Sequence, residues 1–223
     1  MFSYVFMKIL ETRPRSYDRR MDRVSRGRVH AIKQAVAAEV SAGMHVLEIG
    51  CGTGELAGLL CSRGATVEGF DRSLSMVAMA RKRIAAEGVA GRLTVSQMGV
   101  EGMDRLPERT YEAVVSTLVF SELTEDEMRF ALKHALRALR PGGLLVVADE
   151  CVPRSPGRRF LHALGRAPMV AATYVLSGAT TRPIRDLRGE LAKAGYEVDK
   201  EARSHSDAFV LLVAHRPAEE VTA

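Results

Sequence analysis

Four residues near the start of the chain's regular part carry its most legible chemistry. Glu48 stands in an apolar run, and Gly50, Gly52 and Gly54 follow at every second position. Glycines in step let backbone press against a ligand that a Cβ would hold away. Two ligand classes compete for such a loop. A dinucleotide takes G-x-G-x-x-G, which opens a helix N-terminus onto a pyrophosphate. The spacing here is G-x-G-x-G, and Glu48 lies two residues ahead of the first glycine. A carboxylate that close repels a pyrophosphate and suits a cationic group.

The elements that must position this loop alternate regularly. Apolar runs at 44–50, 65–71, 92–97, 111–120 and 144–150 read as strands. Helices are expected over 16–40, with a stripe of Met21, Val24, Ala31, Ala35 and Ala38, and from Gly54 to Gly64. A third over 73–88 has Ser73 as cap and Gly88 as stop. A fourth over 124–143 has Thr124 as cap, acids in its first turn and Pro-Gly-Gly at its end. One more helix follows from 184, and the chain closes on an antiparallel pair around 197–203 and 207–217. Near-continuous apolar strands between helices mean a parallel sheet covered on both faces. The expectation is an α/β, Rossmann-like, doubly wound and mostly parallel seven-stranded sheet, with ligands at the carboxyl ends of the strands.

Composition narrows the setting. The 223 residues suffice for one domain with a core, and no internal repeat is visible. Cys51, Cys61 and Cys151 fit neither a metal spacing nor a disulfide framework, so no metal site and a reducing, cytoplasmic setting are expected. No apolar run reaches membrane-spanning length; the nearest, 167–180, is flanked by Arg166 and Arg182. The N-terminus lacks a basic stretch ahead of its apolar part and does not read as a secretion signal. Net charge is +5, unevenly spread. Residues 1–40 hold nine Lys/Arg against four acids; residues 151–185 hold six arginines and no acid; both remaining segments are net acidic.

The loop and its neighbours resemble the class I S-adenosylmethionine (SAM) dependent methyltransferases. "LEIGCGTG" is similar to their first motif, "VEGFDRS" to the end of strand two, "YEAVVSTLVFSEL" to strand four, and "ALRALRPGGLLVVADE" to the late helix and strand five. The resemblance implies SAM as cofactor and S-adenosylhomocysteine as product. It implies Glu48, Gly50, Cys51, Gly52 and Gly54 around the methionyl part and ribose, and Asp71 with Arg72 at the ribose hydroxyls. Met76, Gly99, Val100 and Thr117 are the further cofactor residues, with Met98 or Glu101 as alternatives near adenine. Tyr17, in "SYD", matches a tyrosine that closes over the SAM carboxylate in relatives.

The same resemblance divides the chain into a helical cap (1–40), a SAM-binding core (41–150), a basic lid insertion (151–185) and a C-terminal helix with hairpin (186–223). The two basic pieces are then expected at the pocket mouth, and an anionic small-molecule or cofactor-linked acceptor follows. Glu122 and His162 are the catalytic candidates, with His205 as a further possible base and His134 as structural. Asp149 and Glu150, unpaired, would meet Arg154 or the acceptor. No nucleic-acid partner is expected, because aromatics are sparse and no such module is present. "SYVFMKILETRPRSYDRR", "LVFSELTEDEMRFAL" and "ADECVPRS…TTRPIRDL" resemble the corrinoid protein-associated methyltransferases, which implies a corrinoid protein as partner. Two alternatives stand beside this: a lipid or quinone methyltransferase whose segment 158–176 lies on an anionic membrane surface, and a noncatalytic SAM-binding subunit.

Overall fold

A computed structural model describes residues 23, 25, 27–89, 91–160, 162–164, 183–204 and 206–219. The expected element at Tyr17, the base candidate His205 and most of the basic insertion lie outside the described residues.

Seven strands form one sheet: β1 (His45–Ile49), β2 (Thr66–Asp71), β3 (Leu93–Gln97), β4 (Tyr111–Thr117), β5 (Leu139–Glu150), β6 (Glu197–Arg203) and β7 (Phe209–His215). Their order is β3-β2-β1-β4-β5-β7-β6. β1 to β5 run parallel, and β7 pairs antiparallel with both β5 and β6. The strand order reverses beside β1, between β2 and β4. The loop after β1 therefore opens at the switch point, where sheets of this kind bind ligands. The expected fold class holds.

Strand side chains alternate between two cores. Leu47, Ile49, Val114, Leu145 and Val147 face one side, packed under α4 (Glu125–Ala138) and α5 (Leu187–Lys193). Val46, Val67, Val115, Val146 and Ala148 face the other, under α1 (Arg28–Ala38), α2 (Glu55–Ser62) and α3 (Leu74–Glu87). Burial on both faces explains why the strands read as continuous apolar runs.

Three expectations need correction. First, the helix expected over 16–40 is interrupted: Gly27 is left-handed at φ 76 and α1 begins only at Arg28. Its buried face is Val29, Val36 and Ala37, whereas Ala31, Ala35 and Ala38 are exposed. The larger apolar side chains gain more from leaving water, so they set the face. Second, α4 stops at Ala138, and Pro-Gly-Gly lies inside β5 rather than closing the helix. The β4–β5 register shifts between Tyr111 and Ala113, and Gly142 takes φ 73, so the strand passes its proline at an irregularity. Third, Ser73 sits at the N-cap of α3 but makes no side-chain cap bond. The Thr124 cap of α4 is present in full: Thr124 Oγ1 accepts from the Glu127 amide at 3.2 Å, and Glu127 Oε2 accepts from the Thr124 amide at 2.8 Å.

Candidate active site

β1 delivers Glu48 into the sheet, and the chain then turns sharply through Gly50, Gly52 and Gly54, at φ 70, 53 and 77. All three conformations are left-handed, where a Cβ is strained. The three differ in their surroundings. A Cβ on Gly50 would stand 2.3 Å from Val119 Cγ2, whereas one on Gly52 meets nothing within 4 Å. Gly54 caps α2 and packs on Ala80. The contrast is testable. Gly50→Ala lowers the melting temperature clearly, because it forces backbone or Val119 to move. Gly52→Ala lowers it less, by the left-handed cost of about 1–2 kcal/mol alone, while weakening SAM binding by about tenfold or more. Melting curves beside a SAM titration check both.

Glu48 is buried in the sheet beside the first turn of α2. Its Oε2 has no hydrogen-bond partner among the described residues. Burial pushes its pKa up to about 8, and Lys33 opposes this only in part. A buried acceptor facing a pocket without a donor asks for a ligand that brings one. Lys33 comes from α1 and donates to Glu55 Oε2 at 2.5 Å, while His30 Nδ1 shares Glu55 Oε1 at 2.7 Å. This pins α1 to the first turn of α2 beside the glycine loop.

Asp71 ends β2 with both oxygens on backbone: Oδ2 accepts from the Gly52 amide at 2.9 Å and Oδ1 from the Ser73 amide at 2.8 Å. The carboxylate is thereby held over the loop while keeping lone pairs for hydroxyl donors. Arg72 lies in ion-pair range of Glu122, with Nη2 to Oε2 at 3.8 Å.

These groups line one cavity. Glu48, Gly50, Cys51, Gly52, Asp71, Arg72, Met76, Gly99, Val100, Thr117 and Glu122 all face it, joined by Val29, Lys33, Phe70, Met98, Leu118, Val119 and Glu127. Gly54 is not among the lining residues; its role is to start α2. Phe70, Met76, Met98 and Val100 supply an apolar flank. Asp71, Glu101, Glu122 and Glu127, with Glu48 beside them, stand against the two cations Lys33 and Arg72, which suits a cationic ligand. Cys51 is buried and its thiol is pushed up in pKa by burial, so it lines the wall as an inert group.

The acceptor side departs from expectation. Asp149 is buried with a carboxylate fully used: Oδ2 accepts from the Phe120 amide at 2.7 Å and the Ser121 amide at 3.3 Å, and Oδ1 from the Glu150 amide at 2.7 Å. Burial pushes its pKa to about 6 against these bonds. Its work is to hold the turn after β4 that carries Val119 and Glu122. Glu150 is not unpaired either, since it lies 3.2 Å from His162 Nε2. His162 is nearly buried and is not among the residues lining the described cavity. Arg154 faces away from the pocket: it donates twice to Glu201 at 2.7 and 2.8 Å, and its amide donates to Asp207 Oδ2 at 2.6 Å. Arg203 joins the same acids. The charge of Arg154 is thus spent within the fold. His134 lies on α4 with its ring tilted at 42° against Phe130, centroids 4.2 Å apart, and does not line the cavity.

Lys33 is the contributor that sequence reading missed. One signal was available: it sits four residues after Val29 and three before Val36, a lysine beside the buried stripe of α1.

The residues present fit SAM. They offer an orphan acceptor for its ammonium, a carboxylate for two ribose hydroxyls, glycine backbone for close approach and an apolar flank for adenine. Residues 46–143 match the family described as a methyltransferase domain. A ubiquinone/menaquinone biosynthesis C-methyltransferase of Geobacter sulfurreducens is 31% identical over 118 residues, which are 52% of this chain and 45% of that protein. A protein of the same description from Yersinia pestis (strain Pestoides F) is 26% identical over 201 residues, covering 81% of this chain and 78% of its own. Among solved structures, an O-methyltransferase family protein from Burkholderia thailandensis superposes with a TM-score of 0.71 at 19% identity, over 93% of this chain and 60% of that one. The chain spans about half the length of the curated relatives it matches first. Residues 46–143 thus carry a methyltransferase-domain match, and the pocket beside them fits SAM as cofactor.

Proposed function

We propose that the protein transfers a methyl group from SAM to a small-molecule nucleophile seated over the carboxyl ends of β4 and β5. The observation that carries this is the donor pocket: the Glu48 oxygen without a described partner, left-handed Gly50 and Gly52 and the backbone-held Asp71 converge on one cavity. When bound, SAM supplies a methyl group already activated on a sulfonium. The chain then has positioning and the exclusion of water left to do. Asp71 takes the ribose hydroxyls, Glu48 takes the ammonium, and Met76, Met98 and Val100 cover the adenine. Gly99 and Thr117 close the rim. Tyr17 closes over the SAM carboxylate in this reading.

Glu122 faces the cavity from the turn after β4, beside Arg72. It orients the acceptor or takes its proton. His162, the second candidate, is held on Glu150 outside the lining of this cavity, so the reading rests on Glu122. An anionic acceptor draws support from the acid-free run 151–185, now without Arg154. A corrinoid-linked acceptor draws support from the flank motifs alone. A ring-carbon acceptor draws support from the printed names of the quinone methyltransferases among the relatives.

Methyl-labelled SAM and a panel of hydroquinones, phenols, carboxylates and a corrinoid protein test this. The expected result is label on one class, lost in Asp71→Ala. SAM binding without label on any member, or hydrolysis alone, would favour the noncatalytic alternative.

A further inference from the structure

Two cations line the donor pocket among the described residues, Lys33 and Arg72. They come from different elements. Arg72 follows Asp71 at the end of β2 and lies 3.8 Å from Glu122 on the turn after β4, with its side chain more than half exposed. Lys33 stands on α1, one turn after Val29, and both face the cavity. Residues 29, 33, 36 and 37 share one side of a helix. Val29, Val36 and Ala37 on that side are buried. Lys33 thus brings a charge into an apolar stripe, with a side chain only 15% exposed. A cation so placed is costly unless partners hold it.

One partner is in place. The Lys33 ammonium donates to Glu55 Oε2 at 2.5 Å. An ammonium has three donors, and among the described residues no second acceptor meets it. Glu55 is itself shared, since His30 Nδ1 lies 2.7 Å from its Oε1. Beside Lys33 stands Glu48, whose Oε2 has no described partner, and Lys33 is the charge that acts on Glu48 most strongly. A spare donor and a spare acceptor therefore sit together in one cavity. An α-amino acid head carries its ammonium and its carboxylate on a single carbon. A site that takes the ammonium must meet the carboxylate next to it, and a carboxylate removed from water without a donor is costly.

We propose that Lys33 binds the carboxylate of the SAM amino-acid head, beside the ammonium that Glu48 takes. The inference rests on the reading of this cavity as the donor pocket, and it stands whichever acceptor is used. It gives α1 a task in binding as well as a place in the fold. Glu55 holds the Lys33 side chain from the first turn of α2, and the remaining donors turn to the ligand. The pocket then selects a donor with an intact amino-acid head over one that has lost its carboxylate.

Calorimetry of the full chain with two ligands tests it: S-adenosylhomocysteine, and its decarboxylated analogue, which keeps the amine and has hydrogen in place of the carboxylate. The wild type should bind the first more tightly by about tenfold or more, the worth of a hydrogen bond between charged groups. Lys33→Gln keeps a donor for Glu55 and removes the charge. In that variant the preference should shrink to near equality, through loss of affinity for S-adenosylhomocysteine alone. Lys33→Arg should keep part of the preference. Melting curves check that the variants fold, and Lys33→Met repeats the ratio with neither charge nor donor. If Lys33 only pins α1, Lys33→Gln weakens both ligands alike, and that result overturns the proposal. An undiminished preference in Lys33→Gln overturns it too and puts the carboxylate on another residue, as does a wild type that binds both ligands equally. A wild type that binds neither ligand rejects the donor-pocket reading itself, and the inference with it.

Discussion

Asp71→Ala should lower the affinity for S-adenosylhomocysteine by about a hundredfold or more, since two hydrogen bonds to a charged acceptor are worth roughly 1.5–3 kcal/mol each. The loss has two sources. The hydroxyl donors of the ribose lose their acceptor, and the Gly52 and Ser73 amides lose theirs, at 2.9 and 2.8 Å. Asp71→Asn separates the two. An amide oxygen can keep one backbone donor, so the loop is better preserved, but the charge and the second acceptor are gone. Calorimetry should therefore rank wild type above Asn and Asn above Ala, with the melting temperature falling chiefly in Ala. Equal affinities in all three proteins would mean that the ribose does not sit at the end of β2.

Binding at Glu48 should release a proton. The group is buried and its folded pKa is about 8, raised from 4.5 by loss of water. At neutral pH the empty pocket therefore holds it mostly protonated. A ligand ammonium next to Oε2 favours the ionised form, so binding expels the proton. Affinity should rise with pH up to about 8 and then level off while the ligand amine keeps its own charge. The sign for stability is opposite. A folded pKa raised above the unfolded value gives stability that is full below about pH 4.5 and is lost as pH rises through about 8. The empty protein should thus melt lower toward alkaline pH, and ligand should restore most of the difference. Glu48→Gln carries a neutral side chain at every pH. It should remove both the proton release and the rise in affinity, and flatten the alkaline loss of stability. Titrations in two buffers of different ionisation enthalpy read the proton count directly. An unchanged proton count in Glu48→Gln would place the titrating group elsewhere.

Much of this site is legible in the sequence because its residues are tied to backbone geometry. Gly50, Gly52 and Gly54 announce a left-handed turn that other residues resist, and Asp71 falls at the end of a strand that burial alone delimits. The parallel sheet follows from apolar runs that need no polar face. The acceptor side is less legible for a different reason. Whether an arginine is free depends on acids distant in the chain. Arg154 meets Glu201, 47 residues away, across a hairpin that no local pattern pairs with it. Asp149 reads as a spare carboxylate until the turn after β4 folds back onto it and donates the Phe120 and Ser121 amides. The buried face of α1 departs from the alanine stripe because Val29 and Val36 gain more from burial and carry Ala37 in with them. Lys33 is not legible in the sequence, because a lysine beside a buried stripe is ordinary until the fold brings Glu48 and Glu55 to it.

Calorimetric titration of the unmodified protein with S-adenosylhomocysteine, with a nicotinamide dinucleotide titrated in parallel, tests the central claim most directly. The account predicts one-site micromolar binding of S-adenosylhomocysteine, with proton release at neutral pH, and no heat from the dinucleotide. Binding of the dinucleotide instead, or no binding of S-adenosylhomocysteine at millimolar concentration, would contradict the assignment of this pocket to SAM.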